Sequence, residues 1–218
     1  MTERPSIAII GTGNVGASLG RRFASAGYQL HFGVRPGSDI SGVLEQLRSA
    51  GATVSAASPQ EVARRASLVF LAVPAAVAVE AVGSLGELGH AIVVDCTNPV
   101  RWSGGPIWAP PAEGSVTQAI AAAHPGVRVV KAFNGFGAEF HADPKLPAID
   151  SGVTVLIAGD DVEAKREVAS VAEASGFSPV DAGPLRNAGL LENAAVLWIH
   201  LATAGGLGRD IALQLLRR

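Results

Sequence analysis

The stretch IAIIGTGNVGASLGRRFASAG, residues 7–27, constrains the fold more than any other part of the chain. A short apolar run ends in Gly11, Gly13 and Gly16, and a segment of helical period follows at once. A GxGxxG turn of this kind needs a buried strand feeding it and a helix leaving it, so it sets a β–α unit and points to a parallel sheet. The glycines permit a tight turn and close backbone approach to a pyrophosphate, whose charge meets the partially positive helix N-terminus. Thr12 and Asn14 can add hydrogen bonds to the phosphates.

The rest of the chain repeats the alternation. Strands are expected at SIAII, YQLHF, ATVSA, LVFLAV, AIVVD, VRVVKAF, VTVLIAG and FSPVD, with helical segments between them. This is the pattern of an α/β, Rossmann-type doubly wound fold with a mainly parallel sheet. Ile40, Val43, Leu44 and Leu47 follow the spacing of one helix face, with Ser38 ahead of them as a candidate N-cap. SPQE gives a capping box with Ser58 as cap and Pro59 at the first helical position, and DDVE offers a similar start before Val162. From Arg101 to Ser115 a Gly/Pro-rich stretch with two tryptophans is expected to be a long loop. After DAGPLRNAGLLE the chain is expected to finish in one apolar helix. We therefore divide it into a dinucleotide-binding domain over residues 1–185 and a short C-terminal helical appendage over residues 186–218, packed on the core or forming a dimer.

Composition narrows the function. A formal net charge of −2, without a run of basic residues, gives no electrostatic footprint for nucleic acid or an anionic membrane. With Cys96 the single cysteine and His31, His90, His124, His141 and His200 scattered, neither a disulfide framework nor a metal site with recognisable spacing is expected. A lone packed thiol and an N-terminus without the segments of a signal peptide suggest a reducing, cytoplasmic setting. The apolar stretch from Ala194 to Leu207 is interrupted by Gly205 and Gly206 and is too short for a bilayer.

The second strand ends at FGVR, about 20 residues beyond the glycines, where an NAD-binding domain presents a carboxylate to the ribose. Here the chain offers Val34 and Arg35. A guanidinium can take a phosphate through two parallel hydrogen bonds and stack on the adenine, which favours NADP over NAD. Ser38 either donates to the same phosphate or caps the helix, and Asp39 falls in the first helical turn, where it complements the dipole. LAVPAA and DCTNP end the fourth and fifth strands at the carboxyl edge, where ligands of doubly wound folds bind.

At KAFN (Lys131 to Asn134) and DAGPL (Asp181 to Leu185), together with GTGNVG, the pattern resembles the NADP oxidoreductase family dependent on the deazaflavin coenzyme F420. That group is also similar to the cytosolic reductase domain of six-transmembrane metalloreductases, and the resemblance extends over essentially the whole chain. It implies a Rossmann domain with a small C-terminal part, a homodimer, and hydride transfer between NADPH and a tricyclic acceptor. By the same resemblance Thr12 to Val15 line the pyrophosphate, Val34 and Arg35 meet the adenosine phosphate, and Val73, Pro74, Ala132 and Asn134 surround the nicotinamide. Hydride transfer of this kind asks the protein to hold two ring faces together and exclude water, which fits the absence of an evident triad. No catalytic residue is assigned.

The chain departs from the archaeal members of that family at two places, with Ala75 where they have Trp after the proline and Asn134 where they have His. Trp102 and Trp108 either supply aromatic faces to the acceptor or pin the long loop. Gly135 and Gly137 either let a flat ring approach or form a strand exit. Lys131 either reaches the acceptor or pairs with Asp95 or Glu192, and Asp181, Arg186 and Glu192 are expected to form a hinge network between the sheet and the last helix rather than to contact substrate. Trp198 and His200 are expected in the core or an interface. The acceptor is therefore coenzyme F420, or a flavin, a ferric chelate, or a small carbonyl or imine compound. A non-catalytic NADP(H) sensor is the third reading.

Overall fold

The computed structural model describes residues 4–147 and 151–216. Six strands form one parallel sheet in the order β3-β2-β1-β4-β5-β8. They are β1 (Ile7–Ile10), β2 (Leu30–Gly33), β3 (Val54–Ala57), β4 (Leu68–Leu71), β5 (Ile92–Asp95) and β8 (Arg128–Lys131). Every residue of β1, β4 and β5 is buried, because helices cover both faces of a parallel sheet and leave no side to water. The register sets Ile7 beside both Leu30 and Leu68, and Ile10 beside Gly33 and Leu71.

Two apolar layers result. On one face Phe23, Phe32, Phe70, Phe133 and Phe177 gather with Ile7, Ile9 and Val94 under α1 (Asn14–Ser25) and α7 (Val162–Ala174). On the other, Ile10, Val69, Leu71 and Val93 meet Val62, Val82 and Ile120 from α3 (Pro59–Ala63), α4 (Ala78–Gly83) and α5 (Val116–Ala123). Burying side chains of this size is worth about 1.5–3 kcal/mol each, so the alternation of strand and helix faces accounts for both layers.

The capping readings hold where the caps are used. Ser58 closes the capping box with Glu61 at the start of α3, and Asp161 accepts from the Ala164 amide at the start of α7. Ser38 does not cap: α2 (Ser41–Ser49) begins three residues later with Ile40 at the cap position. Asp39 likewise precedes the helix rather than lying in its first turn, with its Oδ1 accepting from the Ser41 amide at 2.9 Å.

Three features differ from the expected outline. The strands VTVLIAG and FSPVD form β9 (Thr154–Ile157) and β10 (Ser178–Asp181), a separate two-stranded parallel sheet. It joins the main sheet through an antiparallel bridge between Lys131 and Ala158. The Gly/Pro-rich stretch is an antiparallel hairpin, β6 (Val100–Trp102) and β7 (Pro106–Trp108), pairing Val100 with Trp108. Its strands carry apolar residues that a loop reading overlooked. The short α6 (Ala138–Ala142) packs on α1, and α8 (Ala188–Ala202) is followed by irregular chain to Leu216. No helix among the described residues is long and apolar enough to cross a membrane.

Candidate functional site

Gly11, Thr12, Gly13, Asn14, Val15 and Gly16 form the turn from β1 into α1. Gly11 has φ of 104°, and a Cβ there would stand 2.3 Å from the Ala72 carbonyl oxygen. A Cβ on Gly16 would stand 2.0 Å from the Gly11 carbonyl oxygen. Both glycines are thus demanded by the protein's own packing. Gly13 is different, because a Cβ there would meet no protein atom within 4 Å. It caps α1 without a side-chain hydrogen bond to the first-turn amides. Those amides and the open approach over Gly13 make the cradle that a pyrophosphate fits.

At the far side of β1 the chain leaves β2 through Val34, half-buried, whose amide donates to Ala57 O at 2.9 Å. Arg35 and Ser38 follow on an exposed turn closed by Ser38 N donating to Arg35 O at 3.1 Å. Both side chains are free to meet an anion.

Val73 and Pro74 follow β4, and Ala132 and Asn134 follow β8, so all lie at the carboxyl edge. Because the sheet is parallel, that edge also holds the glycine turn and Arg35. Four strand spacings separate β2 from β8, roughly 19 Å at about 4.8 Å each, and at the β8 end Ala132 and Asn134 are both buried. Asn134 is fixed by its neighbours: its Nδ2 donates to Asn98 Oδ1 at 2.9 Å and to Leu191 O at 3.0 Å, while Asn98 Nδ2 donates back to Asn134 O at 2.9 Å. Asn98 was not singled out from the sequence, although DCTNP had located its strand end. Gly135 is open on its Cβ side, whereas a Cβ on Gly137 would meet Glu139 Oε2 at 2.4 Å and Trp198 at 2.8 Å. Gly137 therefore serves the protein's own packing rather than a ring.

Beneath this edge lies a fully buried charged cluster. Lys131 Nζ stands 3.0 Å from Asp95 Oδ2 and 3.1 Å from Glu192 Oε1, and also donates to Thr97 O. Lys131 thus pairs with both acids and is itself fully buried. Asp95 further accepts from the Thr97 amide at 2.9 Å and the Thr117 hydroxyl at 2.7 Å. Glu192 accepts from the Val116 amide, the first of α5, at 2.9 Å and from Trp108 Nε1 at 3.3 Å. Two carboxylates facing one ammonium leave an excess of negative charge, and the α5 amide offsets part of it. Burial raises the Glu192 pKa, with Lys131 pulling against it. Burial also pushes the Cys96 thiol well up, so it stays a packed, protonated side chain.

The two tryptophans have different roles. Trp108 is half-buried and tied to Glu192, and its indole lies where a Cβ on Gly189 would be 3.4 Å away. It pins the hairpin to α8. Trp102 is 60% exposed. The expected hinge of Asp181, Arg186 and Glu192 does not form: Asp181 pairs with Lys165 at 2.8 Å, Glu192 joins the buried cluster, and Arg186 is exposed. Trp198 is buried and donates to Ile211 O at 2.6 Å, while His200 is exposed.

One participant came from far along the chain. A cleft of about 590 Å³ opens beside the glycine turn, lined by Thr12, Asn14, Ser18, Arg21, Glu139 and Arg209. Arg209 crosses it to Glu139, with Nε–Oε1 at 2.6 Å. Nothing local in the sequence signals that contact. No group of three or more metal-ligating side chains is found among the described residues.

Comparison with known proteins finds NADP-linked reductases among the chain's relatives. Residues 6–99 match the family described as NADP oxidoreductase coenzyme F420-dependent. The chain is 30% identical over 187 residues to the metalloreductase STEAP3 of Rattus norvegicus, covering 85% of this chain but 35% of that protein. It is 29% identical over 211 residues to the F420-dependent NADP reductase of Methanothermobacter thermautotrophicus, covering 89% and 88% of the two chains. A crystal structure from Arthrobacter sp. FB24, assigned as an F420-dependent NADP reductase, superposes with a TM-score of 0.84 at 28% identity over 98% of this chain and 100% of that one. A reductive aminase from Aspergillus terreus shares the fold, with a TM-score of 0.67 at 16% identity over 94% of this chain and 64% of that one. The chain thus carries the pattern of the NADP oxidoreductases, and its resemblance to the F420-dependent group holds in sequence and in fold.

Proposed function

We propose that the chain is an NADP oxidoreductase that transfers a hydride between NADP(H) and the deazaflavin coenzyme F420. The observation that carries the nucleotide half is the open cradle at Gly13, followed across the sheet by an exposed Arg35 in place of a carboxylate. Gly11 to Gly16 would hold the pyrophosphate, with Thr12 and Asn14 as side-chain donors. Val34, Arg35 and Ser38 would hold the adenosine 2′-phosphate, and Val73, Pro74, Ala132 and Asn134 would border the nicotinamide. The bound cofactor supplies the hydride. The chain's residues orient the ring and exclude water, and nothing in that role requires a covalent intermediate. The acceptor half rests on the resemblance to the reductase of M. thermautotrophicus.

A second acceptor class, a flavin, ferric chelate or small carbonyl or imine compound, is favoured by one observation. Ala75 and Asn134 stand where the archaeal pattern has Trp and His, and Asn134 has both amide protons committed to Asn98 and Leu191. The acceptor wall therefore differs in chemistry from that pattern. Anaerobic absorbance of the purified protein with NADPH separates the readings. Bleaching of F420 and not of FMN supports the first, and reduction of FMN or ferric citrate alone supports the second. NADPH binding with no reduction of either would leave a sensor. We also propose a homodimer, as the resemblance implies, with the face of α8 that exposes Leu190 and Leu197 as its contact.

A further inference from the structure

Phe133 has φ of 58°, the one positive φ outside glycine among the described residues. A bulky residue in the left-handed region is disfavoured and persists only where its surroundings over-determine it. This one sits between Ala132 and Asn134, the two residues of β8's exit assigned to the nicotinamide. Its ring is locked at the centre of an aromatic cluster, with centroids 6.0 Å from Phe23, 5.5 Å from Phe70 and 5.3 Å from Phe177. The left-handed turn lets that ring point into the core while the next residue turns toward Asn98.

The carbonyl of the same residue is held by a buried histidine. His141 of α6 is 1% exposed, with Nε2 at 2.7 Å from Phe133 O and Nδ1 at 3.0 Å from Gly137 O. A neutral imidazole has one N–H for these two acceptors. A proton on Nε2, the nitrogen with the shorter contact, would donate to Phe133 O and leave Nδ1 facing Gly137 O without one. Burial pushes the His141 pKa down, in keeping with a neutral ring. The Gly137 contact stays within α6, whereas the Phe133 contact ties α6 to the strained turn.

We propose that His141 is a positioning residue for hydride transfer: its Nε2–H holds the Phe133 carbonyl, and through that turn sets Asn134 against the nicotinamide. The proposal rests on the hydride-transfer reading above. Asn134 is then gripped from both sides, by the strained backbone before it and by Asn98 and Leu191 on its amide.

Two polar variants separate this role from simple filling of space. In His141→Gln an amide nitrogen can stand near the position of Nε2, while in His141→Asn the side chain reaches only as far as Nδ1. The expected result is a maximal rate of acceptor reduction lowered about tenfold in the Asn variant. NADPH affinity should stay within roughly threefold, and the Gln variant should be close to wild type in both. Equal rates in the two variants, or rate and affinity falling together in the Asn variant, would overturn the proposal. Should the Asn variant not fold, ¹⁵N spectra of the wild-type imidazole decide: the proton must sit on Nε2, and an Nδ1–H tautomer overturns it. If the wild type binds NADPH but reduces neither F420 nor FMN, the functional reading fails separately. The comparison then passes to the emission of bound NADPH, which must change in the Asn variant and not in the Gln variant. A wild type that does not bind NADPH overturns both.

Discussion

Gly11 and Gly13 are two residues apart, yet they answer to different demands. Gly11→Ala drives a Cβ into the Ala72 carbonyl at a backbone angle that disfavours any side chain. It should lower stability by about 2 kcal/mol or more, read as the urea midpoint. Gly13→Ala meets only open space, so it should leave that midpoint nearly unchanged and weaken NADPH binding about tenfold, read by fluorescence titration. Arg35→Glu replaces the proposed phosphate partner by a like charge. NADPH affinity should fall by about 10- to 100-fold, with NADH affinity little changed or improved. An unchanged NADPH affinity would remove Arg35 from the site. The glycine turn and the exposed position of Arg35 were legible in the sequence because local spacing decides them. His141, Asn98 and Arg209 were not, since each acts through a partner brought in by the tertiary fold.

At the scale of elements, the sheet strands could be read from their apolar runs, and the helices from caps and period. The hairpin β6–β7 was missed because turn residues outnumber strand residues there, and propensity gives way to cross-strand pairing. The cap of α2 was misplaced because Ser38 belongs to the turn after β2. The start of α7 carries its own pH dependence. The Arg128 hydrogen bond at 2.6 Å holds the Asp161 carboxyl down at about 2, below its ordinary 3.8. A depressed folded-state value contributes stability that is complete above the ordinary value and is lost as pH falls from there toward 2. Asp161→Asn keeps an oxygen for the Ala164 amide but cannot titrate, so its melting temperature should fall less steeply between pH 4 and pH 2 than that of the wild type.

For the whole molecule, the Lys131 cluster joins the sheet, α5, the hairpin and α8 at one buried point. Removing the ammonium alone leaves two buried carboxylates facing each other. Lys131→Met should therefore cost about 3–5 kcal/mol by urea denaturation, and adding Glu192→Gln should recover part of that loss. The proposed dimer makes its own demand: sedimentation should give twice the chain mass, and Leu197→Glu on α8 should shift it toward the monomer. The sheet order sets the strand ends proposed for the adenosine phosphate, after β2, and for Asn134, after β8, on opposite sides of β1 and β4. The hairpin leaves at Pro99, beyond β5, and returns at Ala109, where the Ala109 amide donates to the Pro99 carbonyl at 2.8 Å. Its two ends meet at that one hydrogen bond, while Trp108 on its return strand ties it to Glu192 and so to α8. Only the turn between the paired Trp102 and Pro106 is then free to change length without loosening the buried cluster that fastens the sheet to α8.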